Sequence, residues 1–188
     1  MKKVFILAGA NGSGKSTIAK VLLPTVGIAY VNPDDIAREL NPSDFTSVKI
    51  AAGREALRRI DELMERGESF ALETTLSGLA YVKTFKRARK LGYETILAYV
   101  YVDSSDVCIA RIAARVKNGG HPVPDADVRR RYVRSKRNFL DVYASQVDHW
   151  MLYYNGGVDL TLVAHGNGKV VVLSQERFDA FKEDVCLK

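Results

Sequence analysis

The stretch KVFILAGANGSGKST (residues 3–17) joins an apolar run to a glycine-rich motif. A short run such as KVFILA (3–8) is typical of a strand buried on both faces of a sheet. The nine residues that follow match the pattern G-x-x-x-x-G-K-[ST] in full, and a helix is predicted from Gly14 to about Leu23, stopped by Pro24. A strand, a phosphate-binding loop and a helix in this order predict an α/β domain.

The motif predicts binding of a nucleoside triphosphate with Mg²⁺. Its glycines allow backbone N–H groups to curl around a phosphate, and the helix start adds partial positive charge. Lys15 should reach the β- and γ-phosphate oxygens, and the Ser16 hydroxyl should bind Mg²⁺. The alternative, a glycine-rich turn that merely joins strand to helix, is disfavoured because the whole template is filled in the right context. The predicted nucleotide-binding residues are Gly9, Ala10, Asn11, Gly12, Ser13, Gly14, Lys15, Ser16 and Thr17.

The rest of the chain alternates between strand and helix patterns. Further strands are predicted at 28–31, 69–74 and 95–102, and further helices at 33–40, 47–66, 79–90 and 104–117. The C-terminal part is predicted as a long helix from Asp125 to about Tyr154, a hairpin of DLTLVA (159–164) and KVVVL (169–173), and a helix over 175–185. This order predicts one domain over residues 1–188, with three layers, a mainly parallel central sheet and a C-terminal hairpin.

Aromatic and apolar residues recur at mostly helical spacing in the last predicted long helix. We interpret them as a core stripe rather than a platform for stacking bases. They are Tyr132, Phe139, Tyr143, Val147, Trp150 and Tyr154.

Composition narrows the class of protein but not its ligand. Of the 188 residues, 47% are hydrophobic and 27% are charged, which is typical of a globular domain. No apolar run could span a bilayer, and the N-terminal apolar stretch leads into the motif rather than a cleavage site, so we expect a cytoplasmic protein without a membrane partner. Cys108 and Cys186 have no metal-binding spacing and are expected to be reduced thiols. The net charge of +6 suits a nucleic acid, a nucleotide or a phosphosugar.

The motif does not by itself define the reaction. The sequence contains neither the D-x-x-G switch nor the N-K-x-D base reader of a GTPase. Small size and a basic loop favour a small-molecule kinase, in which the acceptor hydroxyl needs a carboxylate near the γ-phosphate. In VNPDDIAREL (31–40), Asp34 and Asp35 follow a predicted strand at the edge where such ligands bind. Either residue could instead cap the next helix, and for Asp34 the residues alone leave the two roles about even.

Two more carboxylates follow predicted strands. Glu73 could face substrate or Mg²⁺, or could belong to the entry of the next helix. Asp103 stands where a ligand of Mg²⁺-bound water often lies, but the Ser-Ser-Asp after it favours an N-cap.

Basic residues concentrate between residues 111 and 137, which we call the lid region. Arg111 and Arg115 are four residues apart, on one helical face, and Gly119-Gly120 with two prolines separates them from a second cluster. We interpret the region as a lid that closes over ATP and brings arginine charge to the transferred phosphoryl group. An ordinary solvated helix face is the alternative, favoured for Lys136 and Arg137, which are therefore expected to lie in solvent. The basic residues are Arg111, Arg115, Lys117, Arg129, Arg130, Arg131, Arg134, Lys136 and Arg137.

Four stretches together resemble the zeta-toxin-like P-loop kinases: GANGSGKST, VNPDDIAREL, FALETTLSG and RVKNGGHPVPDADVRRRYVRS. The resemblance covers roughly residues 3–155 and implies a P-loop kinase fold. It further implies ATP-dependent phosphorylation of UDP-N-acetylglucosamine at its 3′-hydroxyl, and an antitoxin protein that blocks the ATP site.

The resemblance also assigns roles to single residues. Lys15 matches the ATP lysine, Asp34 the catalytic base, Glu73 the acidic residue beside the substrate and Arg115 the first lid arginine. The second lid arginine of the family falls near His121 here, so Arg130 or Arg131 is expected to take its role. Arg131 is also expected to bind the substrate with Asp34 and Glu73, and Arg111 is expected to bind the nucleotide.

Two other functions are compatible with the sequence. A kinase of the same fold could act on a nucleoside, a nucleotide, another sugar or an antibiotic hydroxyl. A nucleic-acid-binding ATPase would explain the pI of about 9.3 and the basic lid region, but the aromatic residues nearby form a core stripe. We therefore expect a small-molecule substrate and no nucleic acid.

Overall fold

A seven-stranded sheet with its first strand near the centre forms the middle of the described structure. The computed structural model describes residues 1–19 and 27–186. The strands are β1 (Lys3–Ala8), β2 (Ala29–Val31), β3 (Phe70–Thr74), β4 (Glu94–Tyr101), β5 (His149–Tyr154), β6 (Thr161–Gly166) and β7 (Val170–Val172). Their order is β2–β3–β1–β4–β5–β6–β7. The first five strands run parallel, and β6 and β7 add an antiparallel hairpin, which confirms the predicted fold class.

Helices connect the strands at nearly the predicted positions. The helix α1 begins at residue 15 and is described as far as residue 19; its predicted end at Leu23 and Pro24 lies outside the described residues. The others are α2 (Pro33–Leu40), α3 (Lys49–Glu65), α4 (Tyr81–Lys90), α5 (Ser105–Lys117), α6 (Asp125–Asn138) and α7 (Gln175–Cys186). Across residues 1–19 and 27–186, none of the helices has the length and apolar character needed to cross a membrane.

Local capping fixes where two helices at the sheet edge begin. Asn32 caps α2, because its side chain accepts a hydrogen bond from the Asp34 N–H at 2.9 Å, and Pro33 occupies the first turn. Ser104 caps α5 by accepting from the Val107 N–H at 3.3 Å. The predicted N-cap role of Asp103 is therefore wrong. Its carboxylate accepts from the Tyr154 hydroxyl at 2.8 and 3.0 Å instead.

The predicted long helix from Asp125 to about Tyr154 is wrong in its second half. The α-helix α6 ends at Asn138, a π-helical turn covers Phe139–Tyr143, and β5 follows. In HWMLYY, Trp150 and Leu152 are buried while their neighbours in sequence are less so, which is a period of two. Trp150 and Tyr154 are also four residues apart, so the same residues fit a helical pattern. The segment is a strand because it pairs with β4.

The apolar core has two parts. The larger part packs against one face of the sheet and includes the aromatic residues Phe139, Tyr143 and Trp150, so their predicted role as core residues is confirmed. A smaller cluster, which we call the lid core, joins Ala10 of the glycine-rich loop to α5 and α6. Its buried members are Ala10, Val102, Cys108, Ile112, Val123, Val128 and Tyr132. Each fully buried large aliphatic side chain contributes about 1.5–3 kcal/mol, so the lid core fixes the lid region against the loop.

The start of β5 depends on one carboxylate. Asp148 Oδ2 accepts from the N–H and the hydroxyl of the buried Thr95 at 2.9 and 2.8 Å, and its other oxygen lies 3.1 Å from Arg89 Nε. Burial acts to raise the pKa of Asp148, but the bonds from Thr95, with Arg89 and His149, outweigh it and hold the pKa below its ordinary value. Asp148 thus pins β5 beside β4.

Replacing this carboxylate should weaken the fold. Asp148→Ala should lower the free energy of unfolding at neutral pH by about 1.5–3 kcal/mol, because bonds to a charged group are lost. Since the folded protein depresses the pKa, this contribution is complete above the unfolded value of about 3.9 and disappears as pH falls through the folded value. Urea unfolding at neutral and acidic pH measures both effects. The exposed Asp141→Ala should change stability by less than about 0.5 kcal/mol; equal losses in both variants would contradict the assignment.

Candidate active site

The glycine-rich loop lies at the edge of the sheet where the parallel strands end. Because β1 pairs with β3 on one side and β4 on the other, the loop after Ala8 emerges between the ends of both neighbours. Glu73 stands opposite Leu7 in the register of β1 and β3. Ligands of open α/β sheets bind at this edge, where neighbouring connections leave in opposite directions.

Two glycines of the loop are required by close backbone approaches. At Gly9 the φ angle is 138°, and an added Cβ would lie 2.1 Å from the Val100 carbonyl oxygen. At Gly14 the φ angle is 100°, and a Cβ would lie 2.1 Å from Nδ2 of Asn155. Both conformations belong to the region that favours glycine, so the loop is clamped between β4 and the residue after β5.

A cavity of about 530 Å³ opens over this loop. Six of the nine predicted motif residues line it, namely Asn11, Gly12, Gly14, Lys15, Ser16 and Thr17, together with Asp34, Glu73, Arg111, Ile112, Arg115 and Asn155. Gly9, Ala10 and Ser13 belong to the same loop but do not line the cavity. The Ser13 hydroxyl is buried without a hydrogen-bond partner among the described residues. We call this cavity the phosphate cavity.

Lys15 is a buried ammonium at the floor of the phosphate cavity. Its Nζ donates to the Ala10 carbonyl at 2.9 Å and lies 3.9 Å from Oε1 of Glu73. Burial lowers the pKa of Lys15, and the nearby charges of Glu73 and Asp34 oppose that shift. Among the described residues, Nζ of Lys15 donates one hydrogen bond, to the Ala10 carbonyl, so its other N–H donors are available for an anion.

Glu73 is the carboxylate on which the polar groups of the site converge. It accepts from the Ser16 hydroxyl at 3.0 Å to each oxygen and from the Tyr30 hydroxyl, and only 8% of its surface is exposed. Burial and the adjacent Glu73 charge raise the pKa of Tyr30, so the phenol stays protonated and donates. These contacts link β3, α1 and β2 at a single point.

Ser16 and Glu73 offer the hard oxygen donors that Mg²⁺ prefers. Within the described part of the chain no group of three or more His, Cys, Asp or Glu side chains could enclose a metal ion. That donor set fits a Mg²⁺ ion that takes its other ligands from phosphate oxygens and water, as Mg²⁺ commonly does in nucleotide sites.

The two adjacent carboxylates of α2 both line a neighbouring cavity of about 500 Å³, but they differ in their relation to the phosphate cavity. Asp34 lines the phosphate cavity, and its Oδ2 lies 3.6 Å from Nε2 of His121. Asp35 pairs with Arg38 near the surface, with about half of each side chain exposed. Asp34 is the one of the pair that lies beside Lys15.

A second cavity of about 280 Å³ adjoins the first, and we call it the acceptor cavity. The two cavities share Asn11, Lys15, Asp34 and Glu73. The remaining lining of the acceptor cavity is mostly polar or basic and comprises Asn32, Pro33, Lys49, Thr74, Thr75, Ser77, Tyr81, His121, Val123 and Arg131. Asp34 therefore stands on the wall common to a phosphate site and a polar pocket.

Three arginines of the lid region line the two cavities. Arg111 Nη2 donates to the Asn155 carbonyl at 2.8 Å, and Arg115 Nη2 donates to the His121 carbonyl at 3.0 Å. Arg131 Nη1 donates to Asn11 Oδ1 at 3.3 Å and lines the acceptor cavity. Arg130 pairs with Asp127 at the surface. Of the two alternatives for the second lid arginine, Arg131 is the one beside the site, and its catalytic role stays a prediction. The expected solvated position of Lys136 is wrong, because only 1% of this residue is exposed and its ammonium lies 4.7 Å from the Tyr132 and Phe181 ring centroids.

Several residues of the site were not predicted from the sequence. Asn155 donates through Nδ2 to the Ser13 carbonyl at 2.8 Å, but it follows β5, which had the pattern of a helix. Tyr30 lies on β2, and its partner Glu73 lies on the neighbouring strand β3. The sequence does not show that these two strands are neighbours. His121 and Lys49 come from loops or helix starts that sequence periodicity does not place.

The cysteine beside the loop is structural. Cys108 is buried in α5, and burial raises the pKa of its thiol to about 11. A Cβ added at Gly12 would lie 2.5 Å from the Cys108 carbonyl oxygen, so the backbone of α5 packs closely against the loop. The thiol is therefore protonated at neutral pH and serves packing, as the sequence suggested.

Known proteins share this architecture and this sequence pattern. The zeta toxin family model matches residues 1–172. An uncharacterized protein of Haemophilus influenzae is 35% identical over 130 residues, which cover 69% of this chain and 92% of that protein.

Two sets of solved structures have the same fold. The AvrRxo1-ORF1:-ORF2 complex with ATP aligns with a TM-score of 0.78 and 20% identity over 96% of this chain, although the chain spans only 63% of the one it matches. The PezAT toxin–antitoxin system of Streptococcus pneumoniae aligns with a TM-score of 0.71 and 18% identity over 97% of this chain and 78% of that one. These similarities identify the fold. Together with the match over residues 1–172, they establish that the chain belongs to the zeta toxin family, a group of ATP-dependent phosphotransferases with the P-loop kinase fold.

Proposed function

We propose that this P-loop kinase transfers the γ-phosphoryl group of ATP to a hydroxyl of a small molecule, with Asp34 as the general base. The observation that carries the proposal is the position of Asp34 on the wall shared by the phosphate and acceptor cavities. A hydroxyl bound in the acceptor cavity would meet this carboxylate on the side that faces Lys15 and Ser16.

The reaction follows from what each residue can donate or accept. Asp34 takes the proton of the hydroxyl, the hydroxyl oxygen bonds to the γ-phosphorus, and the bond to the β-phosphate oxygen breaks to release ADP. Lys15 and Arg115 place positive charge around the transferred group, where fixed donors lower the barrier most. When bound at Ser16 and Glu73, Mg²⁺ supplies further charge to the phosphate oxygens.

Family membership supports a nucleotide sugar as the acceptor. Zeta toxins act on UDP-N-acetylglucosamine, and the basic residues Lys49 and Arg131 of the acceptor cavity suit an acceptor with negative charge. The AvrRxo1 and PezAT structures hold a second protein or belong to a toxin–antitoxin system. We propose by analogy that an antitoxin protein can bind this chain over its ATP site.

The size of the acceptor cavity favours a smaller acceptor as the second candidate. Its volume of about 280 Å³ is at the lower end for ligand pockets, which typically measure about 300–1,000 Å³. A single sugar, a nucleoside or an antibiotic hydroxyl needs less room than a nucleotide sugar. The polar lining by Thr75, Ser77 and Tyr81 suits a hydroxylated ligand of that size.

The nucleic-acid-binding alternative receives no support from the aromatic residues. Tyr132, Phe139, Tyr143 and Trp150 are buried in the core. Stacking on successive bases requires exposed rings, so these residues cannot form a platform for a single strand.

Phosphoryl transfer is tested directly with purified protein, ATP, Mg²⁺ and a panel of acceptors. With UDP-N-acetylglucosamine or a smaller member of the panel, we expect ADP release to accelerate and a phosphorylated product to appear in the mass spectrum. Lys15→Ala should abolish both, whereas the exposed Lys83→Ala should leave them unchanged. Slow ADP release that no acceptor accelerates would contradict the proposed kinase activity on these classes.

The two adjacent carboxylates should differ sharply. Asp34→Asn removes the general base, so kcat should fall by about 10²–10⁴ while ATP still binds. Asp35→Asn breaks a surface ion pair with Arg38 and should change kcat by less than about threefold. Steady-state kinetics with calorimetric ATP titration measures both variants, and equal losses would eliminate Asp34 as the base.

The lid arginine should act on the transition state. Arg115→Ala removes a fixed charge at the phosphate cavity, and kcat should fall by about 10²–10³ with a smaller change in KM for ATP. The matched variant is Arg134→Ala, an exposed arginine of α6. Comparable kinetics for the two variants would show that the lid supplies no such charge.

A further inference from the structure

His121 lies where the lid region meets the carboxylate of Asp34. It belongs to the loop between α5 and α6, yet it is only 7% exposed. Its ring packs edge-on against Phe45, with ring centroids 4.6 Å apart. Its backbone carbonyl accepts from Arg115 Nη2 at 3.0 Å. One residue thus contacts a lid arginine through its backbone and Asp34 through its side chain.

The contacts of the imidazole define its tautomer. Nδ1 lies 3.3 Å from Nη2 of Arg38, and a guanidinium can only donate, so Nδ1 must be the acceptor. In a neutral ring the proton is then on Nε2, which lies 3.6 Å from Oδ2 of Asp34. The N–H therefore points toward the carboxylate, at a distance that a small rotation of Asp34 would close to a hydrogen bond.

The charges around the ring favour the neutral form. Burial lowers the pKa of His121; Asp34 opposes this shift, while Arg115, Arg38 and Lys49 reinforce it. These groups come from α2, α3 and α5. Because the ordinary value is already about 6.5, the ring is neutral at neutral pH and keeps Nδ1 free to accept from Arg38.

We propose that His121 is a positioning residue that orients Asp34 through its Nε2–H, leaving the second carboxylate oxygen free to accept the proton of the substrate hydroxyl. His121 also holds Arg115 through its backbone carbonyl. Its place in the lid region therefore positions the Asp34 carboxylate and the Arg115 guanidinium at the same time. This inference rests on the proposed role of Asp34 in phosphoryl transfer.

Three variants test the role by kinetics. His121→Ala should lower kcat roughly 10–100-fold, because a misplaced base reacts poorly, with KM for ATP unchanged within about twofold. His121→Gln can place an amide N–H toward Asp34 and an amide oxygen toward Arg38, and should recover most of the loss. His165→Ala, in β6 at the other side of the sheet, is the matched control and should behave as wild type. Thermal melts identify any variant that loses activity by unfolding.

Coupling to Asp34 separates positioning from a structural role. In an Asp34→Asn background, His121→Ala should reduce the remaining kcat by less than about twofold, because residues that act as a unit are not additive. A full loss in that background, or no recovery in a folded His121→Gln variant, would overturn the proposal.

The tautomer gives a readout that does not depend on turnover. Imidazole ¹⁵N shifts of wild type at neutral pH should show His121 protonated at Nε2, and Asp34→Asn should shift the Nε2 signal. A ring protonated at Nδ1, or an Nε2 signal that Asp34→Asn does not move, would overturn the proposal. Failure of wild type to phosphorylate any acceptor would instead contradict the proposed function, while these shifts still report the contact between His121 and Asp34.

Discussion

The carboxylate of Glu73 sits almost fully buried at the meeting point of three separate segments, and a buried charge is tolerated only when donors surround it. The hydroxyls of Ser16 and Tyr30 provide those donors, and the ammonium of Lys15, 3.9 Å from Oε1, adds an opposite charge. Lys15 and Ser16 lie at the start of α1 and Tyr30 lies on β2, so satisfying Glu73 brings these two elements to the end of β3. The requirement that one carboxylate be paired thus positions the phosphate-binding loop relative to two strands.

Contacts with Asn155, the residue after β5, also hold the glycine-rich loop in place. Gly14 fits against Asn155, whose amide donates to the loop at Ser13, and Arg111 donates to the Asn155 backbone. The last parallel strand therefore supports the loop from behind, while the lid core packs α5 and α6 against it. Because α5 packs in the lid core, Arg115 and the adjoining loop residue His121 are held at a defined position beside the site.

The sequence predicted those parts of the molecule whose signals are local. Local patterns placed the glycine-rich motif, the start of α2 at Pro33 and the apolar strands β1, β3 and β4, each within two residues. The strand β5 was missed because Trp150 and Tyr154 satisfy helical spacing, and only pairing with β4 distinguishes the two. The contacts of Tyr30 with Glu73 and of His121 with Asp34 join residues 43 and 87 positions apart, beyond the reach of any local pattern. The motif resemblance located Lys15, Asp34 and Glu73, but their mutual geometry came from the sheet order.

We propose that the terminal phosphoryl group of ATP is transferred to a small hydroxylated molecule between the two cavities, with Asp34 on their shared wall as the general base. The most direct test incubates the protein with γ-¹⁸O-labelled ATP, Mg²⁺ and a cell metabolite extract, and compares wild type with Asp34→Asn by mass spectrometry. We expect wild type to form an ¹⁸O-labelled phosphate ester of a small molecule, and Asp34→Asn to form much less of it. Label found only in free phosphate, or an ester formed equally by both proteins, would contradict it.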